Sequence, residues 1–268
     1  MTRSRVSILL SVILAGALAA PTAAHAQRKN KPKPAEAACG LDFLPFTQGA
    51  EWTYDFTVPD EPPEPPQGQL QVDTPQKLTI KVISVDKIRG DSYEIRLEET
   101  HRKVTNATVL TCDKETLQVS PGSFFAAGEL GGGLGMAIEN FKWGDSASYA
   151  HKKGKLKAKD SWREDISFHV TRAPNEGTAA EHHKARVEVE RSVKIAGRDG
   201  VNSALRDHPK ATKVVVTLTG RAIVDDKSVD MPAAKATLWF DANVGLVKAE
   251  NRFGQGWVLS AFSWPEAQ

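Results

Sequence analysis

The chain has 268 residues, with 35 Lys+Arg against 33 Asp+Glu, six tryptophans and two cysteines. Arg3 and Arg5 belong to a leader that carries no acidic residue, so the balance without it is 33 against 33. A nucleic-acid binder carries a basic excess, and that class is set aside.

In chain order, residues 1–26 are predicted to be a cleaved signal peptide. Arg3 and Arg5 form its basic start, Val6 to Ala20 its apolar helix, and Ala24-His25-Ala26 its small-residue cleavage site. The apolar run of about 15 residues is short for a membrane span, and nothing later reaches about 18. No transmembrane segment is therefore predicted in the mature chain, whose expected location is the bacterial periplasm or the outside. Residues 27–38 are rich in Lys, Arg, Pro and Ala, have little to bury, and read as a disordered basic tether.

Export places Cys39 and Cys112 in an oxidising space, where an even count favours one disulfide between them. A reactive thiol or a lipid anchor on Cys39 is the competing reading. The anchor needs a cysteine at the cleavage site, and Cys39 lies 13 residues past Ala26.

Residues 39–268 read as one antiparallel β domain. Trp52, Tyr54, Phe56 and Val58 alternate with Thr53, Asp55 and Thr57, a strand buried on one face. Pro59–Pro66 is an extended excursion that cannot join a sheet. Leu78–Val85 and Ser92–Thr100 form a hairpin turning at Lys87–Asp91, with strands following near Val104–Cys112 and Thr116–Ser120. Residues 121–139 are apolar and glycine-rich. They lack a dinucleotide or phosphate-loop spacing, so a lid or a plain connector is expected. Lys153, Lys155, Lys157 and Lys159 at a period of two predict a basic stripe on an exposed arm. Trp162–Val170, Ala185–Ile195 and Thr212–Val224 alternate as strands, with turns expected at Gly197–Gly200 and Asp225–Asp226. The run from Lys235 to Phe253 is a hairpin with Gly245 at the positive-φ position, and Trp239 and Phe240 point to opposite faces. Trp257–Trp264 is the last strand. The predicted class is all-β, a single large curved antiparallel sheet of about ten strands resembling half a barrel, with no sustained helical period outside the signal helix.

Catalytic signatures do not assemble. Ser84-Val-Asp-Lys87 has the S-x-x-K spacing but ends a strand and lacks partner motifs. Glu181-His182-His183 reads as a solvated loop, since adjacent histidines in a strand diverge. No catalytic residues, metal or cofactor are expected.

Phe46-Thr-Gln-Gly49-Ala-Glu-Trp52-Thr-Tyr54 and Leu238-Trp-Phe-Asp-Ala-Asn-Val-Gly245-Leu-Val-Lys248 together resemble exported bacterial envelope proteins of unknown function. Those open on a Gly-x-x-Trp-x-Tyr strand and close on a Val-Gly-Leu-Val-Lys hairpin. The resemblance implies the curved half-barrel of the lipoprotein carriers LolA and LolB, and it carries no catalytic residues. The expected function is non-enzymatic binding of an apolar, lipid-like ligand or an envelope partner on a concave aromatic face formed by Trp52, Tyr54, Phe56, Trp239 and Trp257. The alternative is a structural or assembly component of the envelope.

Overall fold

The computed structural model describes residues 37–58, 77–101, 104–120, 122–127, 136–143, 148–156, 162–172, 184–224, 226–252 and 254–265. The signal, most of the tether, the Pro59–Pro66 excursion and the Glu181–His183 cluster lie outside them.

Fourteen strands form one sheet: β1 (Glu51–Thr57), β2 (Lys77–Arg89), β3 (Ser92–His101), β4 (Val104–Cys112), β5 (Thr116–Val119), β6 (Met136–Trp143), β7 (Tyr149–Lys152), β8 (Lys155–Leu156), β9 (Trp162–Arg172), β10 (Lys184–Asn202), β11 (Asp207–Val224), β12 (Lys227–Asp241), β13 (Gly245–Asn251) and β14 (Gly256–Ser263). Across the sheet the order is β6-β9-β10-β11-β12-β13-β14-β1-β2-β3-β4-β5-β7-β8. Two meanders, β1–β5 and β9–β14, are joined by antiparallel pairing of β1 with β14. The expected all-β class and single antiparallel sheet stand, with fourteen strands among the described residues instead of about ten.

Arg191 measures the curvature. It lies on β10, ten strand positions from β7. A flat sheet at about 4.8 Å per strand would separate the two by about 48 Å. Yet Arg191 Nη1 donates to the carbonyl oxygen of Ser148, the residue before β7, at 2.6 Å. The sheet has curled until its two halves face each other.

Several sequence expectations change. The glycine-rich stretch contains a short helix, α1 (Phe124–Ala127), and the first half of the strand β6. Periodicity missed α1 because one turn of helix has no repeat to detect. Gly197–Gly200 does not turn the chain. β10 runs through it with bulges at Ile195/Gly197 and Asp199/Val201, and the turn falls at Ser203–Arg206. β12 begins at Lys227, eight residues before the expected Lys235. The lysine stripe is broken because Lys153 (φ 50°) and Gly154 (φ 77°) make the turn of the β7–β8 hairpin. Only glycine fits at 154, where a Cβ would lie 1.8 Å from the carbonyl oxygen of Gly40.

The core fills the concave side. Residues 37–50 cross it and bury Leu41, Phe43, Leu44 and Phe46. Cys39 and Cys112 form the expected disulfide, with Cα atoms 6.1 Å apart, so the crossing segment is tied to β4. In the chain-entropy account, closing a loop of this length is worth about 4 kcal/mol.

Candidate functional site

The five aromatic residues do not line an open cavity. Trp52 and Tyr54 are fully buried. The Trp52 indole donates to the carbonyl oxygen of Val244 at 2.6 Å, and the Tyr54 hydroxyl to that of Leu246 at 2.9 Å. Both bonds pin β1 to the closing hairpin, where Gly245 (φ 108°) leaves room for the indole. Phe46 and Phe125 meet Trp52 edge to face, with centroids 6.1 and 5.7 Å away. Such pairs add about 1 kcal/mol each beyond the area they bury. Trp257 packs edge-on against Phe56, Phe124 and His101. Trp52, Tyr54 and Trp257 therefore belong to a filled core, with the half-buried Phe56 packed against it.

Trp239 is on the other face, which corrects its placement with them. Phe240 points into the core, and Trp239 pairs in register with Lys213 and Lys248 on the convex side. Their ammonium groups sit 5.3 and 5.0 Å from its ring centroid. The lysine stems supply the apolar cover that a second layer would otherwise provide. Lys213 reaches on to Asp199, and that hydrogen bond is the main cause holding the Asp199 carboxyl below its ordinary range.

Two buried ionisable groups organise the core. Glu99 accepts from Ser123 Oγ (2.5 Å), Thr108 Oγ1 (2.9 Å) and the Phe124 amide (2.8 Å), and so holds the start of α1 against β3. Burial raises its carboxyl above the usual value, opposed by those hydrogen bonds. The Tyr54 phenol is pushed well up by burial and by the Glu99 charge, which keeps it a proton donor to Leu246. Arg191, also buried, donates to the carbonyl oxygen of Ala126 at 2.7 Å and lies over the Tyr149 ring at 4.7 Å.

Ser203, His208 and Asp241 come together in the order of a nucleophile relay. His208 Nδ1 is 2.7 Å from Asp241, and Nε2 is 3.1 Å from Ser203 Oγ. The Ser203 oxygen is, however, the hub of the β10–β11 turn. It accepts from the Leu205 and Arg206 amides and donates to the Arg206 carbonyl oxygen. Those amides face the nucleophile itself, leaving them no reach to a reacting carbonyl. The arrangement locks a turn and orients Asp241. Ser84 bonds Asp86 on the surface of β2. Among the described residues no group of His, Cys, Asp and Glu could hold a metal.

What remains of the concave face lies beyond the core, at both ends of the long β10–β12 ribbon. Toward the start of β10, register continues the interior face through the rows Val189–Gly220–Met231 and Val187–Ala222–Val229. Gly220 and Ala222 make a low floor between these side chains. Gly220 is obligatory there, since a Cβ would lie 2.1 Å from the Glu188 carbonyl oxygen. Val229 and Met231 are 59 % and 42 % exposed. At the other end is a cavity of about 300 Å³ lined by Phe43, Leu156 and Phe240, with Lys155, Arg198 and Lys210. A second cavity, of about 450 Å³, lies beside Cys39, between Phe46, Tyr93 and the Asp91–Lys114 ion pair.

Sequence reasoning missed the trough and the cationic cavity. Met231 fell between the expected Asp225–Asp226 turn and the Lys235 start of the closing hairpin, in a segment assigned to no element. Arg198 and Lys210 meet only through a bulged register that no period reveals. No helix among the described residues is long and apolar enough to cross a membrane. No protein-family model, curated protein or solved structure matches the chain.

Proposed function

We propose that the chain is an exported, non-enzymatic β protein that binds an apolar, lipid-like ligand on the concave face of its sheet. The seat is the trough along β11, not the aromatic cluster around Trp52. The observation that carries this reading is the pair of exposed side chains, Val229 and Met231, on a face whose middle is filled by core. A floor of Gly220 and Ala222 between taller neighbours gives a channel suited to an extended acyl chain. Water there is in contact with apolar surface, and a chain that displaces it gains about 0.8 kcal/mol per buried methylene. The disulfide and the leader-like first 26 residues support export to an oxidising compartment.

Titration of the full chain with a fluorescent fatty acid tests the reading. Saturable binding weakened at least tenfold by Val229→Glu with Met231→Glu is the expected result. No binding, or binding indifferent to both substitutions, overturns it.

A second reading, an envelope assembly component, is favoured by one observation. From Lys227 to Lys235 β12 pairs with β11, while its pairing with β13 begins only at Ala236. That leaves a free edge among the described residues, the kind to which a partner strand adds. Pro232, Asp230 and the flanking lysines blunt it, which ranks this reading second. Cross-linking from residue 229 in cells to a defined envelope protein, with no lipid bound, would reverse the ranking.

A further inference from the structure

We infer that the 300 Å³ cavity at the far end of the ribbon is a binding site for a small anion that carries an apolar group, of the phosphate-monoester class. This inference is independent of the trough. Val187 and Arg198 are eleven residues apart on β10, roughly 35 Å at about 3.3 Å per residue. One short ligand does not reach both.

The cavity has two chemically distinct parts. Its floor is apolar: Phe43 and Phe240 meet edge to face at 5.9 Å, and Leu156 adjoins them. Its rim is cationic. Arg198, Thr212 and Phe240 form one cross-strand row on the concave face. Lys210 precedes Thr212 by two residues on that face, and Lys155 enters from the β7–β8 hairpin opposite. The hairpin is fixed there by the Asp42 amide, which donates to the Gly154 carbonyl oxygen at 2.9 Å.

Two carboxylates also line the cavity, and they do not cancel the rim. Asp241 is engaged by Arg206 at 3.0 Å and by His208 at 2.7 Å. Asp42 alone faces three cations, and none of Lys155, Arg198 and Lys210 has a carboxylate within ion-pair distance among the described residues. Other cations on this sheet, such as Lys114 with Asp91 and Arg221 with Glu188, do carry a carboxylate partner. A positive rim above an aromatic floor is matched by a phosphate held by the Arg198 fork and the two ammonium groups, with its ester group on Phe43 and Phe240. The volume suits such a molecule, being at the lower end of ligand pockets.

Isothermal titration of the full chain with n-hexyl phosphate tests the inference, with inorganic phosphate and hexanol as the separate halves of the probe. Saturable binding of hexyl phosphate, at least tenfold tighter than either half, is expected. It should weaken at least tenfold in Arg198→Ala with Lys210→Ala, and should fall with salt. These side chains are exposed, so an unchanged melting curve shows that the variant folds; Lys87→Ala with Arg89→Ala, distant and exposed, removes the same two charges and controls for net charge. Vesicles containing phosphatidic acid identify the source. Arg198-dependent sedimentation assigns the anion to a lipid headgroup, and hexyl phosphate binding without sedimentation assigns it to a free ester. Absence of hexyl phosphate binding, equal affinity for inorganic phosphate, or indifference to the double substitution overturns the inference.

Discussion

Trp52 and Met231 occupy the same face of the same sheet, yet one has no contact with water and the other is 42 % exposed. The difference is not in the strands that carry them, since both pair antiparallel with their neighbours and each has a bulged pairing. It lies in what crosses in front. Residues 37–50 and α1 pass over the β1–β5 meander and put Phe46, Phe124 and Phe125 against it. Beyond Ala236 in the direction of Lys227, the β12 strand leaves that cover. A sheet face becomes core only where a second layer meets it, and a curved sheet longer than its filling keeps an apolar margin.

Substitutions should separate the two regions sharply. Trp52→Ala removes the centre of the aromatic cluster and orphans the Val244 carbonyl oxygen, so it should cost about 4 kcal/mol in urea denaturation. Met231→Ala should cost about 0.5 kcal/mol or less. Equal losses would mean that the ribbon is as tightly packed as the core. Next in size, Arg191→Ala removes the donors to Ala126 and Ser148 that clamp the facing halves. A loss of about 3 kcal/mol is expected, and Arg191→Met should recover part of it by refilling the space.

Glu99 gives a smaller effect, read as a slope with pH. Its folded carboxyl binds the proton more tightly than the unfolded one, because burial disfavours the charge. Its contribution to stability is therefore greatest at low pH. That contribution declines as pH rises from the ordinary carboxylate range through the raised folded value. Denaturation midpoints of wild type and Glu99→Gln, compared across that window, should differ by this slope; parallel curves would show that Glu99 is not the titrating group. On the convex face, Lys213→Ala should cost about 0.5–1 kcal/mol by uncovering one side of Trp239, little more than Met231→Ala.

The strands were readable because alternation follows directly from a two-residue repeat against a one-sided core. Trp52, Tyr54, Ile95 and Leu97 are buried where the pattern puts them, and Gly245 and Asp226 turn where it predicts. Reading Trp239 as concave failed for a specific reason. Two adjacent aromatics announce that both faces need cover, but the pattern does not say which face receives protein and which receives lysine stems. The candidate site was less legible still. Gly220, Ala222 and Met231 are unremarkable in line, and they form a trough only because a bulge between Leu218 and Gly220 brings three strands into register.

Local chemistry, then, set the class of this molecule: β-branched and aromatic alternation, turn residues and a cysteine pair act over a few positions or through a single bond, so they can be read along the chain. The curl of the sheet, the filling of its middle and the two openings at its ends, one apolar and one rimmed by cations, were decided by contacts between residues as distant as Arg191 and Ala126 or Trp52 and Val244. Those contacts depend on how fourteen strands twist and bulge together, and a one-dimensional pattern carries no record of that sum.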